Sequence, residues 1–241
     1  MIRLRQVALC TDDIWREEQV IVAQLGVAAV HRDPPNVFDM RNAVFAVGDA
    51  FLEVLQPTTE TAPSARFLHR RNGPGGYMVI LQVDDLDAMR TVVLDHDVRI
   101  VYDQPAALHH GVEASAVHLH PADTGGAIMS FDRMDPADGW AWAGRAWQGH
   151  VHTHVVDQIV AVELASREPE ALAARWAGLL DRGHLPMASG HWSIELDQGR
   201  VDVVGSGIDG PDQLTAIEMR AVDRNRVGET VTVSGTEIRF V

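Results

Sequence analysis

Two stretches of this chain combine residue type and spacing in a way that could do chemistry. In "FLEVLQP", residues 51–57, Glu53 is the one ionisable residue of an apolar run, and strand alternation would place it on one face with Phe51 and Leu55. A carboxyl held among apolar side chains is a candidate general base, because burial disfavours its charged form and moves its titration toward neutrality. In "ASAVHLHP", residues 114–121, His118 and His120 alternate with Val117 and Leu119, so the two imidazoles share a face. Neutral, they could orient a substrate; alternatively, His120 caps the turn before Pro121 while His118 is exposed. His109 and His110, beside Gly111, read as a loop pair, and His110 could close over a ligand. The run "HVHTH" at residues 150–154 spans too far for one ion and reads as a solvated segment before a strand. Asp84 and Asp85 read as helix caps, and Arg70 and Arg71 could hold an anionic substrate tail.

The elements that would position these residues follow a repeating plan. Residues 3–10 read as a strand, and "TDDIWREEQVIVAQLG" as a helix capped by Thr11 or Asp12, with Ile14, Ile21 and Leu25 on one face and Gly26 at its end. Extended segments at 28–32, 43–48 and 50–56 follow, the last two joined by a Gly48–Asp49 turn. After an exposed linker around Pro63 the order recurs as a strand at 77–83, a helix at 85–95 and strands at 98–102, 115–119 and 127–131. The Trp-rich stretch "DPADGWAWAGRAWQ" has no clean period and reads as a connector that packs on something. Beyond it a third strand and helix begin, with Pro169 in the first helical turn, and a fourth copy lacks its helix. The division expected is a paired unit over 1–133, a connector over 134–149, and a third unit with a truncated fourth over 150–241.

Composition bounds the partners. With 46% hydrophobic residues in 241 the chain can bury a sizeable core. A net charge of −14 disfavours nucleic acid and anionic membrane surfaces, so a small molecule is the expected partner. Cys10 is the single cysteine, which excludes an intramolecular disulfide and suits a reducing cytoplasm. The N-terminus turns acidic before any signal-length apolar run, so a soluble, unprocessed chain is expected.

The stretches "AVFAVGDAFLEVLQPTTETAPSARFLHRR", "GYMVILQVDDLDAMRTVVLDHDVRIVYDQP" and "AVHLHPADTGGAIMSFD" together resemble the vicinal oxygen chelate (glyoxalase and bleomycin-resistance) superfamily, and within it the methylmalonyl-CoA epimerase-like proteins. The resemblance implies an α+β fold of repeated βαβββ units forming cupped mixed sheets, with a divalent metal inside the cup. Carried over position by position, it puts Gln6 where the first histidine ligand is expected and Glu53 at a carboxylate or amide position. Met78 falls at the second histidine and Ser130 at the final glutamate, and neither suits a hard divalent ion. The inherited ligand set is therefore degraded, and a metal, if bound, would use Glu53 with His118 and His120. Alternation groups Gln6 with Ala8 and Cys10, and Met78 with Ile80 and Gln82.

Two functions fit. One is a lyase or isomerase acting on a small carbonyl or acyl-thioester compound by proton abstraction next to the carbonyl. Glu53 would be base or ligand, with Gln6, Gln82, His118 and His120 polarising the carbonyl. The other is a metal-free protein that sequesters a small molecule in an apolar cleft, as the resemblance to bleomycin-resistance proteins allows. Association as a homodimer is expected, to cover exposed strand edges.

Overall fold

The computed structural model describes residues 1–34, 38–188, 190–207 and 210–241. The first block is β1 (Ile2–Cys10), α1 (Ile14–Leu25), β2 (Ala29–His31), β3 (Met40–Val47) and β4 (Ala50–Pro57), followed by α2 (Pro63–Arg71). The second is β5 (Gly75–Val83), α3 (Leu86–Asp95), β6 (Ile100–His109), β7 (Val112–Leu119), α4 (Pro121–Thr124) and β8 (Ile128–Asp135). After two short 3-10 turns come β9 (Val156–Ser166), α5 (Pro169–Leu179), β10 (Leu185–Ala188), β11 (His191–Glu195) and β12 (Arg200–Gly205). The last block is β13 (Gln213–Ala221), β14 (Thr230–Val233) and β15 (Thr236–Phe240), with a 3-10 turn where the others carry a helix.

Every block solves the same topological problem in the same way. Its first and last strands pair in parallel: β1 with β4, β5 with β8, β9 with β12 and β13 with β15. Parallel neighbours need a long crossover, which the helix and the antiparallel strands between them supply. The fold is thus α+β, built of repeated βαβββ blocks in mixed sheets, as expected.

The chain divides into two compact units, each assembled from separated stretches. One unit holds residues 6–77, 142–159 and 216–241. In it the strand order β2-β3-β4-β1 stands with β13-β15-β14, and α1 packs against both β4 and β14. Asp13 caps α1 by accepting from the Arg16 N–H at 3.1 Å, and Gly26 ends it in the left-handed conformation. The buried stripe Ile14, Glu17, Ile21 and Leu25 faces inward, and the Glu17 carboxylate accepts the Ser234 N–H. The other unit holds residues 1–5, 78–141 and 160–215. There β5-β8-β7-β6 stands with β10-β11-β12-β9, and α5 touches both α3 and α4. Trp176 is fully buried and donates its indole N–H to the Gly125 carbonyl at 3.1 Å, tying α5 to the second block.

Two expectations need correction. The stretch around Pro63 is helical, because Pro63 occupies the first helical position, where its missing N–H costs nothing, and Ser64 and Ala65 are buried. The segment expected to end at residue 102 continues to His109, so the β6–β7 connection is a two-residue turn at His110 and Gly111, both at positive φ, with His110 exposed.

Gly48 is the glycine on which the first block's register depends. Its φ is +64°, and a Cβ there would lie 2.1 Å from the Asp157 carbonyl oxygen. Gly48→Ala should therefore lower stability by about 1–3 kcal/mol through backbone strain and displacement of that carbonyl, read as a fall in the urea midpoint at unchanged slope.

Candidate functional site

Glu53 sits on β4 in the first block, 9% exposed. The parallel pairing sets Ala8 of β1 beside Glu53 and Gln6 beside Phe51, and Gln6 reaches the carboxylate diagonally, Nε2 donating to Oε2 at 2.8 Å. On the other side the β3–β4 hairpin places Asn42 opposite Leu55, hence on the face of Glu53 and one diagonal away. Asn42 Nδ2 donates to Glu53 Oε1 at 2.7 Å and to Asp33 Oδ2 at 3.1 Å, while its Oδ1 accepts the Asp33 backbone N–H at 2.7 Å. Asp33 Oδ1 in turn lies 3.0 Å from His31 Nε2. The result is an ordered chain, His31–Asp33–Asn42–Glu53–Gln6, within one unit.

Burial pushes the Glu53 carboxyl above its usual range. The Asn42 and Gln6 amides oppose that shift, Asp33 reinforces it and a protonated His31 opposes it, and burial wins. A desolvated carboxyl of this kind is the sort of group that proton-transfer sites employ. On β12 of the third block Asp202 is also buried but is held by the Arg200 guanidinium at 2.9 Å. Its charge is balanced by a cation, whereas Glu53 has amide donors.

The connector takes part in this site. Trp147, 7% exposed, stands edge-on to Phe51 with ring centroids 4.9 Å apart, and Phe51 shares its face with Glu53. Gly144, at φ +75°, passes so close to His31 that a Cβ would come within 2.6 Å of Nδ1. The stretch that read as packing on something thus packs on the face that carries the carboxyl. His31, Asp33, Asn42 and Trp147 are site residues that reading the sequence missed.

The remaining candidates lie in the other unit. Gln82 is fully engaged: its oxygen accepts from Arg3 Nε at 3.0 Å and Nη2 at 2.7 Å, and its nitrogen donates to the Ala137 carbonyl at 2.7 Å. Ser130 donates to the Val117 carbonyl and the Asp132 carboxylate, and Met78 is buried on β5. His118 lies on β7 against Tyr102, centroids 4.9 Å apart, and burial pushes its imidazole down to about 4, so it is neutral near pH 7. His120 lies beyond the strand and caps α4, its Nδ1 accepting the Ala122 N–H at 3.1 Å. Of the two alternatives for His120, the capping one is what the structure displays, while His118 is not the exposed residue that alternative paired with it. His150, His152 and His154 are exposed, as expected of a segment before a strand.

The donor set does not fit a hard divalent ion at the inherited positions. Met78 offers a thioether, Ser130 a hydroxyl already spent on two acceptors, and both Glu53 oxygens face amide N–H groups. His120 has its Nδ1 committed to the cap of α4.

Comparison with known proteins adds the family. Residues 7–180 match a family model described as a glyoxalase-like domain. A hypothetical protein from Staphylococcus aureus aligns over 100% of this chain and 99% of its own at TM-score 0.77 and 11% identity. Methylmalonyl-CoA epimerase from Streptomyces coelicolor, in complex with 2-nitronate-propionyl-CoA, covers 57% of this chain and 98% of its own at TM-score 0.50 and 22% identity. The mitochondrial methylmalonyl-CoA epimerase of Bos taurus is 23% identical over 131 residues, 54% of this chain and 74% of the relative.

The neutral state of His118 has a thermodynamic consequence. Its folded titration point, about 4, lies below the unfolded value near ~6.5, so the unfolded chain takes up a proton that the folded one refuses. Stability should fall as pH drops through that window. Urea midpoints measured across it should decline in the wild type and decline less in His118→Gln.

Proposed function

Since the chain belongs to the glyoxalase-like domain family, we propose that it acts on a small carbonyl or acyl-thioester compound by removing a proton next to the carbonyl, with Glu53 as the base. The observation that carries this reading is a buried carboxyl with two amide donors and, among the described residues, no bonded cation, set beside Phe51 and Trp147. Desolvation keeps such a group basic enough to take a carbon-bound proton, and the amides fix the direction from which it does so. The names of the epimerase relatives favour an acyl thioester within this class. The reaction is then of the isomerase or lyase type, since proton removal leads either to return on the other face or to loss of a leaving group. In the other unit His118, neutral, is the second residue proposed to act on a ligand, as a hydrogen-bond donor rather than a cation. One observation favours the sequestering alternative: Met78 and Ser130 stand where the resemblance places metal ligands.

The test is solvent exchange. Protein purified without a histidine tag is incubated with methylmalonyl-CoA or propionyl-CoA in D2O, and deuterium at the carbon next to the thioester is followed by mass spectrometry. Wild type should exchange, and Glu53→Gln should exchange about 10²–10⁴-fold more slowly. Undiminished exchange in Glu53→Gln removes Glu53 as the base. Thioester binding without exchange by the wild type leaves the sequestering function.

A homodimer is proposed with it. The edge strand β10 exposes Leu185 and Met187, and β6 exposes Val101 and Leu108, apolar side chains on strands whose outer backbone edge invites pairing. Light scattering at micromolar concentration should report about twice the 26.4 kDa of one chain; a single-chain mass would count against the proposal.

A further inference from the structure

On its Asn42 side the base is joined by hydrogen bonds to a histidine that the connector approaches closely, and a carboxylate stands between them. We propose that His31, Asp33 and Asn42 are positioning residues that hold the Glu53 carboxyl in one orientation and pass to it the charge state of His31. This inference rests on the reading of Glu53 as the base.

The orientation argument comes from Asn42. Its NH2 group is shared between Glu53 Oε1 and Asp33 Oδ2, and its oxygen takes the Asp33 N–H. Turning the amide over would set its oxygen against two carboxylates and leave that N–H facing another N–H, so one orientation is strongly preferred. Asn42 therefore always presents a donor to Glu53. The backbone of Asp33 follows β2 directly, so the position of His31 at the end of β2 decides where Asp33, and through it Asn42, can stand.

The charge argument comes from what acts on Glu53. Gln6 on β1 and Asn42 on β3 bring no net charge; Asp33 and His31, after and within β2, are the charged groups whose fields reach it among the described residues. Asp33 favours the protonated carboxyl and a protonated His31 favours the ionised one. The two lie 3.0 Å apart, so their effects on Glu53 oppose each other and removing either should leave the other uncompensated. The connector enters through Gly144, because any side chain there would have to displace the His31 ring.

The experiment follows the Glu53 carboxyl directly by carbon-13 NMR of glutamate-labelled full-length protein, its resonance identified as the one missing in Glu53→Gln. His31→Gln should raise the pH midpoint of that resonance and Asp33→Asn should lower it, each by about one unit. Gly144→Ala should shift it in the direction of His31→Gln. A purely structural link would survive Asp33→Asn, whose amide oxygen can still accept from Asn42, and would leave the midpoint in place. Midpoints unchanged in both His31→Gln and Asp33→Asn, or moved in the same direction, overturn the proposal; if one variant does not fold, the sign of the other decides. Deuterium exchange on the same samples separates the two readings. Opposed shifts with full exchange in Glu53→Gln would defeat the base assignment alone, whereas unmoved midpoints with exchange lost in Glu53→Gln would defeat this chain alone.

Discussion

The charge of Glu53, removed from water, must be compensated from within the protein, and the means of compensation decides what the residue can do. Burying an ion uncompensated costs several kcal/mol, and a cation partner is the usual remedy. Asp202 takes that remedy through Arg200. Glu53 instead receives two neutral amide donors, from Gln6 and Asn42. Amides hold the carboxylate without cancelling its charge, so desolvation still lifts its titration above the usual carboxylate range. A cation partner lowers the basicity of a carboxylate, whereas amide donors hold it while burial still raises its titration.

That arrangement depends on the topology of the block. Because β1 and β4 pair in parallel, Gln6 and Glu53 come together although 47 positions separate them in the chain. The antiparallel β3–β4 pairing brings Asn42 from the opposite side. The carboxylate thus lies on a strand with neighbours on both sides, where donors can approach from two strands at once. The edge strand β2 adds the third layer by setting His31 and Asp33 beside Asn42.

How much of this could be read from residues alone varies with the range of the interaction. The strand and helix order was legible because each element carries its own period and its own cap; Gly26 and Asp85 end and begin helices where they were expected to. Asp13, one residue past the expected caps, shows the usual slack at a helix start. Glu53 was legible because a charge in an apolar run is conspicuous. Asn42 had a signal that was available: the Gly48–Asp49 turn fixes the hairpin register, and register alone puts Asn42 on the face of Glu53. His31 and Asp33 had none, since their contact with Asn42 is made at and just past the end of the three-residue strand β2, where no period extends. Trp147 announced that it packs but not on what, because connector and sheet are far apart in sequence. His120 misled for a physical reason: alternation predicts a shared face only while the strand lasts, and β7 stops at Leu119.

The same hydrogen bonds make Glu53 a poor ligand for a divalent ion. A divalent ion at Glu53 would compete with two N–H donors for the carboxylate oxygens, and once bound it would face those donors as one positive dipole end facing another. Gln6 could rotate its amide to offer oxygen instead. Asn42 could not, because its oxygen already holds the Asp33 N–H and its NH2 bridges two carboxylates. With Asn42 and Asp33 in place, the surroundings of Glu53 favour a bare carboxyl over a metal-bound one. The amide chain thus sets one electrostatic choice around Glu53, a bare carboxyl held by neutral donors.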